Sequence, residues 1–145
     1  MIKKYFNRSL IYLLLTAVLA SCAGTGTSSL SMINLEVGKD ESVAFFVRKK
    51  KYMASLGLVK VVMDGQEVGK LGIGEMERVR VNPGAHNINV SIGNILQLGT
   101  GSDATAFIAE KGKAYYFIVD YEQKLFSAQW TITETSAAGF KKALN

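Results

Sequence analysis

Met76-Glu77-Arg78-Val79-Arg80-Val81-Asn82-Pro83-Gly84-Ala85-His86-Asn87-Ile88-Asn89-Val90-Ser91-Ile92 is the stretch that decides the fold class. Val79 and Val81 alternate with Arg78 and Arg80, and Ile88, Val90 and Ile92 alternate with Asn87, Asn89 and Ser91. A period of two belongs to strands with one apolar and one wet face. Between the two runs, Pro83 presets φ for the second position of a turn and Gly84 accepts the positive φ that a type II turn requires next.

The same period extends in both directions. Ser42–Arg48 places Val43, Phe45 and Val47 on one face, and 58–64 places Val59, Val61 and Met63 opposite Lys60. Residues 104–109, 114–119 and 126–132 are further β-rich runs; Tyr115-Tyr116-Phe117-Ile118-Val119 is almost continuously apolar and reads as a central strand. Asp64-Gly65 suits a tight hairpin, and Lys111-Gly112-Lys113 and Asp120-Tyr121-Glu122-Gln123 read as reversals. Seven or eight short strands at this spacing predict an all-β protein, an antiparallel β-sandwich in meander order. One short C-terminal helix is expected over about 134–144, where Ala137, Phe140 and Leu144 share a face, Lys141 and Lys142 lie in the last turn, and Thr133 or Thr135 would cap.

The chain has 145 residues, 48% hydrophobic and 20% charged with one proline, the content of one ordinary globular domain. Its single cysteine excludes an intramolecular disulfide, and one histidine beside it leaves a structural zinc site short of ligands; neither metal nor cofactor is expected.

Residues 1–9 carry Lys3, Lys4 and Arg8, and 10–20 are nearly all apolar, too short a run for a bilayer span but suited to a secretory signal. The run closes in Leu19-Ala20-Ser21-Cys22, which resembles the lipobox of bacterial lipoproteins. The resemblance implies that residues 1–21 are removed as a signal peptide and that Cys22 carries diacylglycerol and further acyl chains such as palmitate. Two or three chains hold a protein stably where one is marginal. Ala23 after the cysteine implies outer-membrane sorting in a Gram-negative envelope. Removing Lys3, Lys4 and Arg8 from 17 basic residues leaves 14 against 12 acidic ones, a net of +2, and with it goes the main support for a nucleic-acid partner. Residues 22–34, rich in Gly, Ser and Thr, read as a flexible tether with a reach near 20 Å; 35–145 form the sandwich domain.

Three short segments carry a further resemblance: Val62-Met63-Asp64-Gly65-Gln66-Glu67-Val68-Gly69, Val79-Arg80-Val81-Asn82-Pro83-Gly84-Ala85-His86 and Lys111-Gly112-Lys113-Ala114-Tyr115-Tyr116-Phe117. Their order resembles PEGA-type modules and, behind a lipobox, small bacterial lipoproteins built on a domain of unknown function. The likeness covers 42–119 and implies a prealbumin-like sandwich in the cell envelope, whether periplasmic or outward-facing, without known catalysis. Arg48-Lys49-Lys50-Lys51-Tyr52 and the Gly-rich 93–102 depart from that pattern.

The candidate sites are few. No catalytic residue is assigned, and the chain is read as a non-enzymatic interaction module for an envelope protein or the cell wall. The alternative is a module that binds glycan or anionic lipid through Arg48, Lys49, Lys50, Lys51 and Tyr52, with Arg78 and Arg80 extending a basic patch across the sheet. Against this stands a solvated loop. His86, as the only imidazole, is a base or metal ligand in a functional reading; its phase with Ile88 and Val90 favours a packed structural residue. Tyr115, Tyr116, Tyr121 and Trp130 would stack on sugars only if they shared an exposed face. The 93–102 stretch, with Ile95, Leu96 and Leu98, is either a loop or a contact surface.

Overall fold

The computed structural model describes residues 25–51, 57–92, 100–123, 125 and 128–145. Among them are nine strands: β1 (Ser42–Arg48), β2 (Val59–Met63), β3 (Gln66–Leu71), β4 (Met76–Val81), β5 (Gly84–Ile92), β6 (Thr100–Ser102), β7 (Ala104–Ala109), β8 (Ala114–Gln123) and β9 (Ala128–Thr135). They are followed by the helix α1 (Ala137–Ala143). Two sheets pack face to face, one in the order β4-β1-β8-β9-β6 and the other β3-β2-β5-β7, so the all-β sandwich with a short C-terminal helix is the architecture of the chain.

Connectivity departs from a meander. Only β2–β3 and β8–β9 are local hairpins; the turn at Asn82-Pro83-Gly84 carries the chain from β4 in one sheet to β5 in the other, and the turn at residues 110–113 carries it back from β7 to β8. Pro-Gly chemistry fixes a reversal but not the sheet that the next strand joins. As a result β1 pairs with β8, and β6 with β9, in parallel, which makes the larger sheet mixed; every pair in the smaller sheet is antiparallel.

The space between the sheets is filled by Phe46, Phe117, Phe107, Ile88, Val90, Trp130 and their neighbours, with Phe46 and Phe117 stacked at 5.3 Å. A second apolar cluster lies on the outer face of the larger sheet. There Val43, Phe45, Val47 and Met76 are covered by Phe140 and Leu144 and by Leu30, Ile33, Leu35 and Val37. β1 is therefore buried on both faces along its whole length, where its alternation had predicted a wet side.

Two boundaries also move. Asp120 and Tyr121 do not reverse the chain: β8 runs through them because Tyr121 pairs with Trp130 across β9, their rings 5.3 Å apart. The helix starts later than its apolar pattern, capped by Ser136, whose side chain accepts from the Gly139 amide, and not by a threonine.

The segment read as a tether is fastened down from Thr25 onward. Thr25 N donates to Lys70 O at 2.9 Å, and Lys70 N donates to Thr25 Oγ1 at 2.8 Å. Thr27 and Met76 exchange two backbone hydrogen bonds of 2.7 Å. The chain thus straps the end of β3 to the start of β4, where the two sheets meet at an edge. Its physical reason lies in Leu30, Ile33, Leu35 and Val37, which need cover and find it beside α1. A composition rich in Gly, Ser and Thr hides this.

Candidate functional site

The basic run divides at its first residue. β1 alternates, so Arg48 follows Ala44 and Phe46 into the sandwich, where it is 1% exposed. Its Nη1 donates to Gly57 O at 2.8 Å and to Leu71 O at 2.9 Å, and its guanidinium carbon lies 4.8 Å from the Trp130 ring centre. Burial pulls its pKa down, countered by the Glu75 carboxylate. Arg48 is thus an internal clamp and leaves the expected surface patch.

Lys49 and Lys51 both reach Asp120 of β8, at 2.9 Å to Oδ2 and 2.7 Å to Oδ1, and Lys51 also donates to Tyr121 O at 2.9 Å. Desolvation pushes the Asp120 carboxyl up, but hydrogen bonds from Lys51, Lys49 and the Tyr121 amide outweigh it and hold the group below its ordinary value. Lys50 lies against Gly74 in the β3–β4 turn, where a Cβ would stand 2.7 Å from its Cε. Tyr52 lies outside the described residues.

Arg78 and Arg80 do not join these lysines. Arg80 is paired with Val43, near the far end of β1 from Lys49, and Arg78 with Phe45 at its middle. At about 3.3 Å per residue the gap between Arg80 and the 49–51 run is about 20 Å. Both arginines converge instead on Glu41: Arg78 Nη2 donates to Oε2 at 3.0 Å and Arg80 Nε to Oε1. Burial would raise the Glu41 carboxyl, yet Arg78, the Gly38 amide and Arg80 together lower it. Beside this trio is an open cleft of about 540 Å³ lined by residues 38–42 and 80–83. Its accessible charges are the Arg80 guanidinium, 80% exposed, and the exposed side chains of Lys39 and Asp40. A guanidinium next to exposed backbone suits a carboxylate or a peptide edge.

His86 occupies the same end of the molecule on the other sheet. Its Nδ1 meets Asp64 Oδ2 at 2.6 Å, its Nε2 meets Asn82 O at 2.7 Å, and its ring packs 5.4 Å from Phe107. A carbonyl and a carboxylate only accept, so both ring nitrogens act as donors, the arrangement of an imidazolium. The Asp64 hydrogen bond, then the Asn82 carbonyl, raise the imidazole pKa; the Asn87 amide, then His86, lower that of Asp64. With both ring nitrogens donating, neither offers a lone pair, and the ring is not arranged as a base or a metal ligand. Asp64 is held for this task at φ +50° in the β2–β3 turn, followed by Gly65 at φ +82°, the two positive values of a type I′ hairpin.

The aromatic residues fall on different faces. Tyr116 stacks on Phe45 under α1, Tyr115 packs on Phe107 and accepts from the Glu110 amide through its hydroxyl, and Trp130 is buried. They make no common platform. Among the described residues no three His, Cys, Asp or Glu side chains gather as a metal cluster, and no helix is long and apolar enough to cross a membrane. Leu19, Ala20, Ser21 and Cys22, and residues 93–99 with Ile95, Leu96 and Leu98, lie outside the described residues.

No sequence pattern singles out the carboxylates on which these cations converge. Glu41 lies 37 and 39 residues from its arginines and Asp120 lies 71 from Lys49, so no local spacing links them. No family model matches the chain, and a search of curated proteins finds no match.

Proposed function

We propose that the chain is an exported bacterial lipoprotein, held in the envelope by acyl chains on Cys22, whose β-sandwich binds another envelope component without catalysis. The observation that carries the reading is the basic start, short apolar run and Leu19-Ala20-Ser21-Cys22, with the chain's one cysteine at the position lipidation uses. Its interaction surface is the cleft beside Glu41 and Arg80, the described recess that joins an exposed guanidinium to accessible backbone. The partner presents a carboxylate or an acidic peptide edge there.

Two measurements test this. Growth with an alkyne-bearing palmitate analogue should label the wild-type chain and leave Cys22→Ser unlabelled; a labelled serine variant, or an unlabelled wild type, refutes the anchor. In-cell cross-linking should capture one envelope component that Arg80→Glu releases and Ile108→Glu retains. Equal capture by both variants refutes the cleft as the surface.

A further inference from the structure

We propose that the sandwich stands on its strapped end, with Ile73, Leu125 and the 49–51 lysines turned to an anionic lipid surface, instead of swinging on a tether. The proposal rests on lipidation of Cys22, and its test separates the two.

Chain length sets the distance. Three peptide steps separate Cys22 from Thr25, and at no more than about 3.6 Å each they span about 11 Å. Thr25 is not free to lengthen that reach, since its amide and hydroxyl are both bonded to Lys70 and Thr27 is bonded twice to Met76. A lipid on Cys22 therefore brings the junction of β3 and β4 to within about 11 Å of the anchor, whichever way the two intervening residues turn.

Strand directions say what else lies at that end. β3 finishes and β4 begins there, joined by the turn that holds Ile73; β1 finishes there and leads into Lys49, Lys50 and Lys51. β8 runs parallel to β1, so the β8–β9 connection with Leu125 projects from the same end. Ile73 is 38% exposed and Leu125 90%, two of the three large apolar side chains exposed among the described residues. The third, Ile108, pairs with Ala85 near the opposite end.

Charge agrees with the apolar pair. Lys49 and Lys51 bracket Asp120, Lys50 lies against the β3–β4 turn and Lys70 stands near the end of β3 beside Thr25; these four lysines face the three carboxylates of Asp120, Glu122 and Glu75. Apolar side chains between lysines suit a headgroup layer that is anionic above and hydrocarbon below. The acyl chains supply attachment, and this end supplies orientation. The cleft at residues 38–42 and 80–83 is then carried to the far side, about 23 Å away along β1, open to a partner approaching from the aqueous side.

The test uses the full lipidated chain on vesicles of phosphatidylethanolamine and phosphatidylglycerol. With Cys22 acylated, Ile73→Cys, Leu125→Cys and Ile108→Cys each introduce a single free thiol for an environment-sensitive fluorophore, quenched by spin-labelled lipid. Trp130 emission verifies folding of every variant. Labels at 73 and 125 should be quenched several-fold more than the label at 108. A Gly/Ser spacer inserted after Gly24, or Lys49, Lys50 and Lys51 changed together to Gln, should erase the difference. Equal quenching at the three sites, or a difference that survives the spacer, overturns the orientation while attachment stands. Failure of the wild-type chain to float with vesicles, with no acyl mass on its N-terminal peptide, overturns the anchor itself.

Discussion

Arg48 lies across the indole of Trp130, its guanidinium carbon 4.8 Å from the ring centre, with both side chains almost wholly buried. One cation thereby ties three parts of the sandwich: β1, which carries it; β9, which carries the indole; and the carbonyls of Gly57 and Leu71, which accept from it. A desolvated charge is costly unless it is compensated, and two carbonyls, a ring face and the nearby Glu75 carboxylate contribute to that here.

Removing that charge should unsettle the whole core. Arg48→Ala is expected to cost at least about 3 kcal/mol: each hydrogen bond to a charged group contributes roughly 1.5–3 kcal/mol and a buried cation–π contact about 2 kcal/mol, and relaxation of the site offsets part of their sum. Arg48→Lys should recover little, because an ammonium has no planar face to lie on the indole while its N–H groups reach the two carbonyls. Lys49→Ala and Lys51→Ala, whose side chains are 41% and 44% exposed, should each cost no more than about 1 kcal/mol. Urea unfolding followed by Trp130 fluorescence, the chain's only tryptophan, checks the ranking. Equal losses at Arg48 and Lys49 would mean that the run acts as one surface group.

How far the sequence alone could be read is visible in these same residues. β-rich composition locates β7, and alternation locates β1, β2, β4 and β5 closely because their side chains obey the two-residue period. It missed β3, where Gly69 and Lys70 break the pattern: Gly69 is small because the Glu77 stem of β4 packs against it, and a Cβ there would meet Glu77 Cγ at 3.0 Å. Nor could alternation tell that the outer face of β1 is covered, since the cover comes from residues 30–37 and from α1, more than ninety positions further along. Adjacency groups Arg48 with the lysines, yet the same alternation, carried one residue past Val47, turns it inward.

The His86–Asp64 pair makes stability depend on pH with a definite sign. The imidazole value is raised above 6.5 in the folded chain, so its contribution is full below that pH and fades as pH rises through the folded value. The Asp64 value is lowered below 3.8, so its contribution is full above that pH and fades as pH falls through the folded value. The clamp should be strongest between about pH 4 and 6.5. Thermal melts from pH 4 to 9 should show the gap between wild type and His86→Gln widest in that window and closing toward pH 9. A gap independent of pH would show that the ring serves by packing on Phe107 alone.

Phe140 holds α1 to the sheet. It is fully buried, 6.0 Å from Phe45 and 5.4 Å from Tyr116, and a seven-residue helix has little stability of its own. Phe140→Ala should cost about 3–5 kcal/mol, and Ser136→Ala, which removes the cap on the Gly139 amide, about 1 kcal/mol. Hydrogen exchange should show the Phe140 amide, bonded to Ser136 O, losing protection in both. Protection retained in Phe140→Ala would mean that the helix is held by Leu144 and the N-terminal segment without it.

Gly26 tests the strap. It lies so close to the β3–β4 junction that a Cβ would meet Leu71 Cδ2 at 2.9 Å and Met76 O at 3.0 Å; the second contact is backbone and cannot swing aside. Gly26→Val should therefore lift residues 25–27 while the sandwich, whose strands pair without them, stays folded. The Thr27 and Met76 amides, each now bonded to the other's carbonyl at 2.7 Å, should exchange faster, and protease should reach the chain near Thr27. Trp130 emission should stay as in the wild type, because the indole is packed by Arg48 and Tyr121 and not by the strap. A variant that keeps both amides protected would show that Met76 gives way to the new side chain. Loss of Trp130 packing would instead make the strap part of the fold's cooperative core, and the chain between Cys22 and the sandwich would be fixed by the same energy that holds the sheets together.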